Sequence, residues 1–305
     1  MSKIDRRSRA HTMPALVVAY LFTLRKDRHP LGRAWASYFK GCAPDSFVVR
    51  SNVDPRFPPG KFNASWPFAG SAIPHSMHVS RMEYPMVEVR LRLMRAAIKS
   101  SAQPIDWFWF GSESDAPIAS CAAAHAHLAA HPGRSFNVVD RPLSEAQRGL
   151  TPEWITAFTA VACPNCSRAG ISPSDFRHTP GWITLYKDHA HYFLRHEAKL
   201  EAAFRGWTWE RVVAGIADEA YWGTVSHRHG LQLWDYTLTH MEPGDAKTGH
   251  PALFGPEDVP RVLRMASSQA DRPRFFARKF QTLASVDTAL AAALRRSGGR
   301  AGALT

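Results

Sequence analysis

Apolar and polar segments alternate regularly over the first 55 residues. Residues 16–24 form a continuous apolar run, and Leu31, Trp35 and Phe39 then recur near helical spacing. A shorter apolar run at 47–49 ends in a polar tripeptide. Continuous apolar runs are typical of strands that are buried on both faces, so this order predicts strand, helix, strand, the start of a nucleotide-binding α/β unit.

Residues 86–99 carry the clearest helical pattern, because their apolar positions fall on one stripe. The stripe comprises Val87, Leu91, Met94 and Ile98. The arginines at 90, 92 and 95 are expected on other faces. The segment is therefore predicted to be an amphipathic helix.

Strand and helix patterns keep alternating to the end of the chain. Further strands are predicted at 106–110, 135–140 and 181–186, and helices from about 118 and over 189–205. This alternation predicts an α/β fold with a mostly parallel central sheet flanked by helices. We expect one domain over 15–281, a basic flexible arm at 1–14, and a helix with a flexible tail at 282–305.

Charge and apolar run length restrict the partners. The chain has 38 Lys and Arg against 26 Asp and Glu, a net charge of +12 that favours anionic partners. A basic nucleic-acid-binding protein is therefore an alternative, although no recognised binding motif supports it.

No apolar run reaches the roughly 20 residues of a membrane span. A cytoplasmic location is expected, with membrane association or the secretory pathway left open.

The four cysteines are Cys42, Cys121, Cys163 and Cys166. The C-P-N-C pair is a weak zinc signal, because a structural zinc site needs four ligands. Reduced structural cysteines are predicted, with a loop disulfide between Cys163 and Cys166 as the alternative for an exported protein.

Polar loops follow the predicted strands at 23–28, 50–54 and 111–115, where an open α/β sheet binds its ligand. They make Thr23 and Asn52 candidate ligand contacts. Glu113 and Asp115 lie two residues apart and could hold Mn²⁺ or Mg²⁺, since hard cations prefer oxygen ligands. The competing interpretation is that a serine at 112 or 114 caps a helix beginning near 118.

Two further stretches carry charged residues that could take part in binding or catalysis. R-F-F-A-R-K-F at 274–280 places Arg274, Arg278 and Lys279 among phenylalanines, either to bind phosphate or as a solvated basic face. Asp218 and Glu219 are adjacent, which suits either a helix start or a catalytic carboxylate. Adjacent acids make a poor glycosidase pair, because those carboxylates lie about 5–9.5 Å apart across the bond.

Seven motifs, taken in order, resemble glycosyltransferase family 14, the core-2/I-branching β-1,6-N-acetylglucosaminyltransferase family, which also includes peptide-O-xylosyltransferases. The matching motifs are A-Y-L-F-T-L-R at 19–25, V-E-V-R-L-R-L-M-R-A-A-I at 87–98, W-F-W-F-G-S-E-S-D-A-P at 107–117, P-G-W-I-T-L at 180–185, A-D-E-A-Y-W-G-T at 217–224, H-P-A-L-F-G at 250–255 and F-A-R-K-F at 276–280.

The resemblance implies a GT-A-like nucleotide-sugar-binding fold and an inverting transfer. The donor would be a UDP-sugar such as UDP-GlcNAc, UDP-Xyl or UDP-GlcA, and the acceptor a hydroxyl of a glycan, glycoprotein or small molecule. Glu219 matches the general base of the family, which leaves Asp218 as a helix-start residue or an orienter of the site. Nucleic acid is not an expected partner in this interpretation.

The resemblance also assigns the diphosphate contacts. Lys279 matches the family's lysine, with Arg278 beside it, and no metal cofactor is expected. The family's arginine shortly before the F-G pair is absent here, so His250 or Lys247 could replace it. If only one cation remains, Mn²⁺ or Mg²⁺ held by Glu113 and Asp115 becomes the alternative.

The family's acceptor contacts are aromatic and basic. Trp182 and Trp222 are the predicted acceptor-binding residues, and Trp234 is a further candidate. The competing interpretation for each is burial in the core.

Overall fold

The computed structural model describes residues 16–25, 28–56, 66–79, 83–138, 165–177, 179–205, 217–244, 251–268 and 271–300. These residues form nine strands: β1 (Val18–Leu24), β2 (Phe47–Val53), β3 (Trp107–Ser112), β4 (Ala116–Pro117), β5 (Ser135–Phe136), β6 (Thr184–Tyr186), β7 (Leu233–Trp234), β8 (Thr239–Met241) and β9 (Phe276–Arg278). They also form eight α-helices: α1 (Gly32–Phe39), α2 (Pro85–Ser100), α3 (Cys121–Ala130), α4 (Lys187–Arg195), α5 (Glu197–Phe204), α6 (Ala217–Arg228), α7 (Val259–Ser268) and α8 (Ala284–Arg300).

The central sheet has six strands in the order β2-β1-β3-β6-β5-β7. β1 pairs in parallel with both β2 and β3, and β5 pairs in parallel with β7. β6 runs antiparallel to both of its neighbours. A second sheet of three short strands has the order β4-β9-β8. The predicted α/β fold with a mostly parallel sheet is confirmed.

Alternate residues of β1 pack into two separate cores, which explains its continuous apolar run. Ala19 and Leu21 belong to a core shared with α2 and α6. Tyr20 and Phe22 belong to a core shared with α1, α3 and α8. Successive side chains of a strand point to opposite faces, so an apolar residue at every position requires helices on both sides of the sheet.

The element boundaries agree closely with the sequence pattern in the first half and less closely in the second. The predicted helix over 86–99 is α2, and the predicted aromatic strand is β3. The predicted strand at 181–186 begins only at Thr184. The helix predicted over 189–205 is two helices, α4 and α5, which are separated at His196.

The cysteine prediction is wrong for Cys42 and Cys121, which form a disulfide with Cα atoms 5.2 Å apart. The end of α1 and the start of α3 meet here although the two cysteines are 79 positions apart. That distance along the chain is why spacing gave no signal. Cys166 is also disulfide-bonded, and Cys163 lies outside the described residues.

None of the helices in the described residues is long and apolar enough to cross a membrane.

Candidate active site

Three parallel strands end side by side and bring polar residues to one edge of the sheet. Thr23 on β1 is in register with Asn52 on β2 and with Ser112 on β3. The Asn52 amide is bonded on both sides to the backbone of Met77, at 3.0 and 2.9 Å. Asn52 is fully buried, so its side chain holds the 71–79 loop against β2.

Glu113 lies just beyond β3 and links this strand to the end of β1. Its two carboxylate oxygens accept hydrogen bonds from the backbone N–H of Arg25, at 2.9 Å, and from its Nε, at 2.7 Å. Arg25 is largely exposed while the Glu113 side chain is 12% exposed. Both oxygens therefore already have cationic or N–H partners.

Asp115 has no exposed surface and is held by Ser112. Its Oδ2 accepts hydrogen bonds from the backbone N–H of Ser112 at 2.7 Å and from its hydroxyl at 2.5 Å. Burial raises the pKa of Asp115, while Arg278 and the Ser112 bonds act in the opposite direction. Because Ser112 turns back onto Asp115, the competing interpretation that a serine at 112 or 114 caps the next helix is wrong. Ser120 caps α3 instead, accepting from the N–H of Ala123 at 3.2 Å.

The small sheet brings the basic segment alongside these acids. β4 pairs antiparallel with β9, with Ala116 opposite Ala277, so the continued register places Asp115 opposite Arg278. The N–H of Phe280 donates to the carbonyl of Ser114 at 3.0 Å. Nε of Arg278 lies 4.0 Å from Oδ1 of Asp115. Two segments that are far apart in sequence thus form one charged edge.

Lys279 is anchored through its backbone. Its carbonyl accepts from the N–H of Phe254 at 2.8 Å, and its own N–H donates to the carbonyl of Ala252 at 3.4 Å. The H-P-A-L-F-G motif and the F-A-R-K-F motif are therefore adjacent from residue 251 onwards. His250 and Lys247 lie outside the described residues.

Trp182 lies against the arginine of this edge. The guanidinium carbon of Arg278 is 3.5 Å from the centre of the indole ring, which puts it directly over a ring face. The Arg278 side chain is only 11% exposed. Cations over indole faces are attracted by the ring quadrupole, most strongly where water is excluded.

The first turn of α6 carries the two adjacent carboxylates, and the structure gives them different surroundings. Asp218 is buried and pairs with the buried Arg90, with Nη2 3.0 Å from Oδ2. Burial raises the pKa of Asp218, whereas Arg90 and, more weakly, Arg278 lower it. Glu219 is partly exposed, and its carbonyl accepts from the N–H and hydroxyl of Thr179 at 2.8 and 2.9 Å.

The structure brings most of the predicted site residues together: Glu113, Asp115, Trp182, Glu219, Arg278 and Lys279. Asp115, just after β3, lies beside Arg278, and Arg278 lies on the ring of Trp182. The neighbouring Gly181 lies against Asp218 and Glu219. Such an edge offers a carboxylate that can take a proton beside cations that can bind an anion.

Two predicted contributions are not found at this edge. Trp222 has no exposed surface and packs between Phe110 and Phe193, so it cannot stack on an acceptor, and that prediction is corrected to a core role. Arg274 donates to the carbonyl of Thr237 and lies over Tyr236, away from Arg278.

Arg90 is a site residue that the helical pattern misplaced. It was expected outside the apolar stripe of α2, yet it is 4% exposed and contacts Asp218. Position 90 is three residues after Val87 and four before Met94, so it falls on the buried face of the helix. A charged residue at that position was the available signal for a buried ion-pair partner.

One group of metal-ligating side chains was found among the described residues, and it lies elsewhere. Cys42, Cys121 and His125 offer ligand atoms within 4.8 Å of one another. The two sulfurs are bonded to each other in the disulfide, so they are not available as ligands in this state.

The fold defines an α/β protein with charged residues gathered at one edge of its sheet, and comparison with known proteins gives the family. The family model described as Core-2/I-branching enzyme matches residues 18–263. The chain belongs to the Core-2/I-branching enzyme family, which places it among the glycosyltransferases as its motifs predicted. No curated protein matches the chain.

A solved structure titled as the apo form of WbbM, a bifunctional glycosyltransferase, is similar to the chain at 9% sequence identity and a TM-score of 0.40. The similarity covers 87% of this chain and 46% of that one, so this chain spans about half of its length.

Proposed function

We propose that the chain transfers a sugar, with inversion, from a UDP-sugar to an acceptor hydroxyl. Glu219 is the general base, and Arg278 and Lys279 neutralise the diphosphate. The main support is that the Arg278–Lys279 segment lies beside Asp115 and Trp182. The loop that contains Trp182 is hydrogen-bonded, through Thr179, to Glu219 in the first turn of α6.

The reaction needs one proton acceptor. As the acceptor oxygen attacks the anomeric carbon, its proton passes to the Glu219 carboxylate, the new glycosidic C–O bond forms, and the bond to the diphosphate breaks with its electrons leaving on UDP. A general base must be within reach of the hydroxyl and ionised beforehand. Glu219 is partly exposed, whereas Asp218 is buried against Arg90, so Glu219 suits this role better than Asp218.

The departing UDP develops negative charge that must be neutralised in place. The Arg278 guanidinium lies between Trp182 and Asp115. Lys279 follows it, and its backbone is hydrogen-bonded to residues 252 and 254. Arginine and lysine differ in what they supply, a planar fork and a movable point charge respectively. Two adjacent cations of both kinds suit a diphosphate.

The contacts of the acidic pair favour these cations over a metal ion. Both oxygens of Glu113 accept from Arg25, and Asp115 accepts from Ser112 and faces Arg278. A divalent ion there would have to displace these donors and lie near two guanidinium groups. We therefore expect transfer to persist after EDTA treatment. Loss of activity that Mn²⁺ or Mg²⁺ restores would support the metal-dependent alternative through Glu113 and Asp115.

The donor's nucleoside is expected along the ends of β1 and β2, near Thr23, because ligands of open α/β sheets bind at the carboxyl ends of their strands. Asn52 contributes there by fixing the 71–79 loop rather than by direct contact. The acceptor would approach Glu219 from its exposed side.

The test of the base is Glu219→Gln, which keeps the shape of the side chain and removes its basicity. We expect the transfer rate to fall by on the order of 10²–10⁴-fold while UDP affinity stays near that of the unmodified protein. Glu201→Gln on α5, which removes the same group from an ion pair with Arg205, is the matched control and should leave transfer unchanged. Transfer at the normal rate by Glu219→Gln would rule out this assignment.

The test of the cation is Lys279→Ala, measured as UDP affinity by calorimetry. Loss of a charge-assisted contact should weaken UDP about tenfold or more. Lys187→Ala is the control, because Lys187 pairs with Asp106 at 2.8 Å beside the opposite end of β3. Equal UDP affinity in the two variants would remove Lys279 from the donor site.

A further inference from the structure

We infer that Trp182 is a positioning residue that presents Arg278 to the donor diphosphate and fixes its distance from the base helix α6. This inference rests on the proposed function and replaces the acceptor-stacking role expected for Trp182 from the sequence.

The ring contact is the first argument. An atom 3.5 Å from the centre of an indole can lie only above its face, so the Arg278 guanidinium occupies one face of Trp182. A planar guanidinium stacked on an aromatic ring keeps its N–H groups in its own plane, which is parallel to the ring. The contact therefore orients the charge as well as attracting it.

The acid beside Arg278 cannot supply that orientation. Asp115 Oδ1 is 4.0 Å from Nε of Arg278, which is beyond hydrogen-bonding distance. The carboxylate thus attracts the guanidinium without fixing the direction of its N–H groups. Between these two neighbours, the indole face is the one that can fix the guanidinium plane.

The backbone around Trp182 is attached to α6. Thr179 donates two hydrogen bonds to the carbonyl of Glu219, at 2.8 and 2.9 Å. Gly181 lies so close to this helix that a Cβ atom there would be 3.6 Å from Cγ of Glu219. On the other side, Ile183 is fully buried and leads into β6. A rigid segment therefore joins the residue under Arg278 to the turn that carries Glu219.

A second guanidinium supports the same arrangement. Arg90 lies 5.7 Å from the Trp182 ring centre and 5.6 Å from that of Phe110, and it pairs with Asp218. The indole thus lies close to the guanidinium of Arg90 on α2, the partner of Asp218 on α6, and also carries Arg278. Movement of the ring would disturb both the cation and the first turn of the base helix.

The same contacts argue against acceptor stacking. A sugar stacks on an aromatic residue through the ring face, and one face of Trp182 already carries Arg278. Removing the indole should therefore weaken donor binding through the diphosphate, whereas an acceptor platform would change the acceptor KM alone.

The experiment compares UDP and uridine affinities of Trp182→Leu and Trp182→Phe by calorimetry. We expect Trp182→Leu to weaken UDP about tenfold and to leave uridine unchanged, because uridine has no phosphate to meet Arg278. Trp182→Phe keeps an aromatic face and should recover most of the UDP affinity. Equal loss for UDP and uridine, or no loss for either, would overturn the inference.

A double-mutant cycle tests whether Trp182 acts through Arg278. In an Arg278→Ala background, Trp182→Leu should cause no further loss of UDP affinity, since residues that act as one unit are not additive. Additive losses would contradict the inference. If Trp182→Leu fails to fold, Arg278→Lys gives the same test, because it keeps the charge and loses the planar stack. Full UDP affinity in Arg278→Lys would then count against it.

Lys279→Ala separates the two proposals. If Lys279→Ala weakens UDP but Trp182→Leu does not, the diphosphate site stands and the positioning role fails. If neither Lys279→Ala nor Arg278→Ala weakens UDP, the proposed donor site itself fails.

Discussion

Gly181 has a backbone φ of +64°, and a Cβ atom at this position would lie 3.0 Å from Oδ2 of Asp218. The absent side chain lets the segment before β6 approach the first turn of α6. Sequence alone marked the P-G-W motif but gave no reason for its glycine. The reason is the positive φ together with the buried carboxylate that the backbone must pass.

We expect Gly181→Ala to destabilise the protein by about 1–2 kcal/mol through the left-handed backbone alone. Because the new methyl group also presses on Asp218, transfer should fall by about tenfold or more. Urea unfolding and initial transfer rates measure the two effects.

Gly230 is the matched control for this change. It also has a φ of +64°, but a Cβ atom there would meet nothing within 4 Å. Gly230→Ala should lose similar stability and keep its transfer rate. If both variants lost activity equally, strain rather than contact with Asp218 would be the cause.

For individual residues, the sequence predicted which side chains carry charge but not which partners they have. Glu113 and Asp115 were candidate metal ligands, and the structure pairs them with Arg25 and Ser112. Arg25 directly follows β1 and Ser112 ends β3, and only the pairing of these strands brings the end of β1 beside Glu113.

A side chain of α8 caps the N-terminus of α1. Leu31 precedes α1 and supplies no side-chain cap. Asp287, in the first turn of α8, accepts from the N–H groups of Arg33 at 3.2 Å and Ala34 at 2.8 Å. The first N–H groups of a helix have no partner within it, so a carboxylate from a neighbouring helix can serve as the cap.

Asp287→Ala should therefore lower the free energy of unfolding by about 1–2 kcal/mol, the usual effect of losing an N-cap. The measurement is urea denaturation followed by circular dichroism. Thr288→Ala, at an exposed neighbour whose hydroxyl accepts from Nη1 of Arg33 at 3.3 Å, should change stability by less than about 0.5 kcal/mol. A neutral Asp287→Ala would show that α8 does not cap α1 in solution.

Element types were largely predictable, and their directions were not. The aromatic run of β3 and the stripe of α2 each depend on residues within the element itself. β6 is antiparallel to β3 and β5, although the alternation of strands and helices favoured a parallel direction. Direction depends on how the preceding chain returns to the sheet, which local pattern does not encode.

Across the whole molecule, the disulfide of Cys42 and Cys121 closes a segment of 79 positions that contains β2, α2, β3 and β4. It fastens α1 to α3 in the core formed on one side of the sheet. A cross-link over so long a segment restricts the unfolded chain strongly.

Replacing both cysteines by alanine should lower stability by about 2–4 kcal/mol. The comparison is the urea midpoint of the double variant against that of the unmodified protein, both without reductant. Because Cys166 is also disulfide-bonded, reductant is added only as a further arm. Reductant should lower the urea midpoint of the unmodified protein more than that of the double variant. Identical midpoints without reductant would show that this cross-link contributes nothing.

The sequence by itself determined the fold class, the main helices and strands of the first half, and the family. These follow from local periodicity and from motifs whose residues are close together in the chain. It also identified the segments around Glu113, Glu219 and Lys279 as a candidate site.

Tertiary structure alone decided how those segments meet. It buried Asp218 against Arg90, placed Arg278 on Trp182, enclosed Trp222 in the core and joined Cys42 to Cys121. Each of these contacts joins residues from different elements, and only the packing of helices and strands on one sheet sets the distances between them. Residue pattern can give each side chain its chemistry, but its neighbours, and so its role, come from that packing.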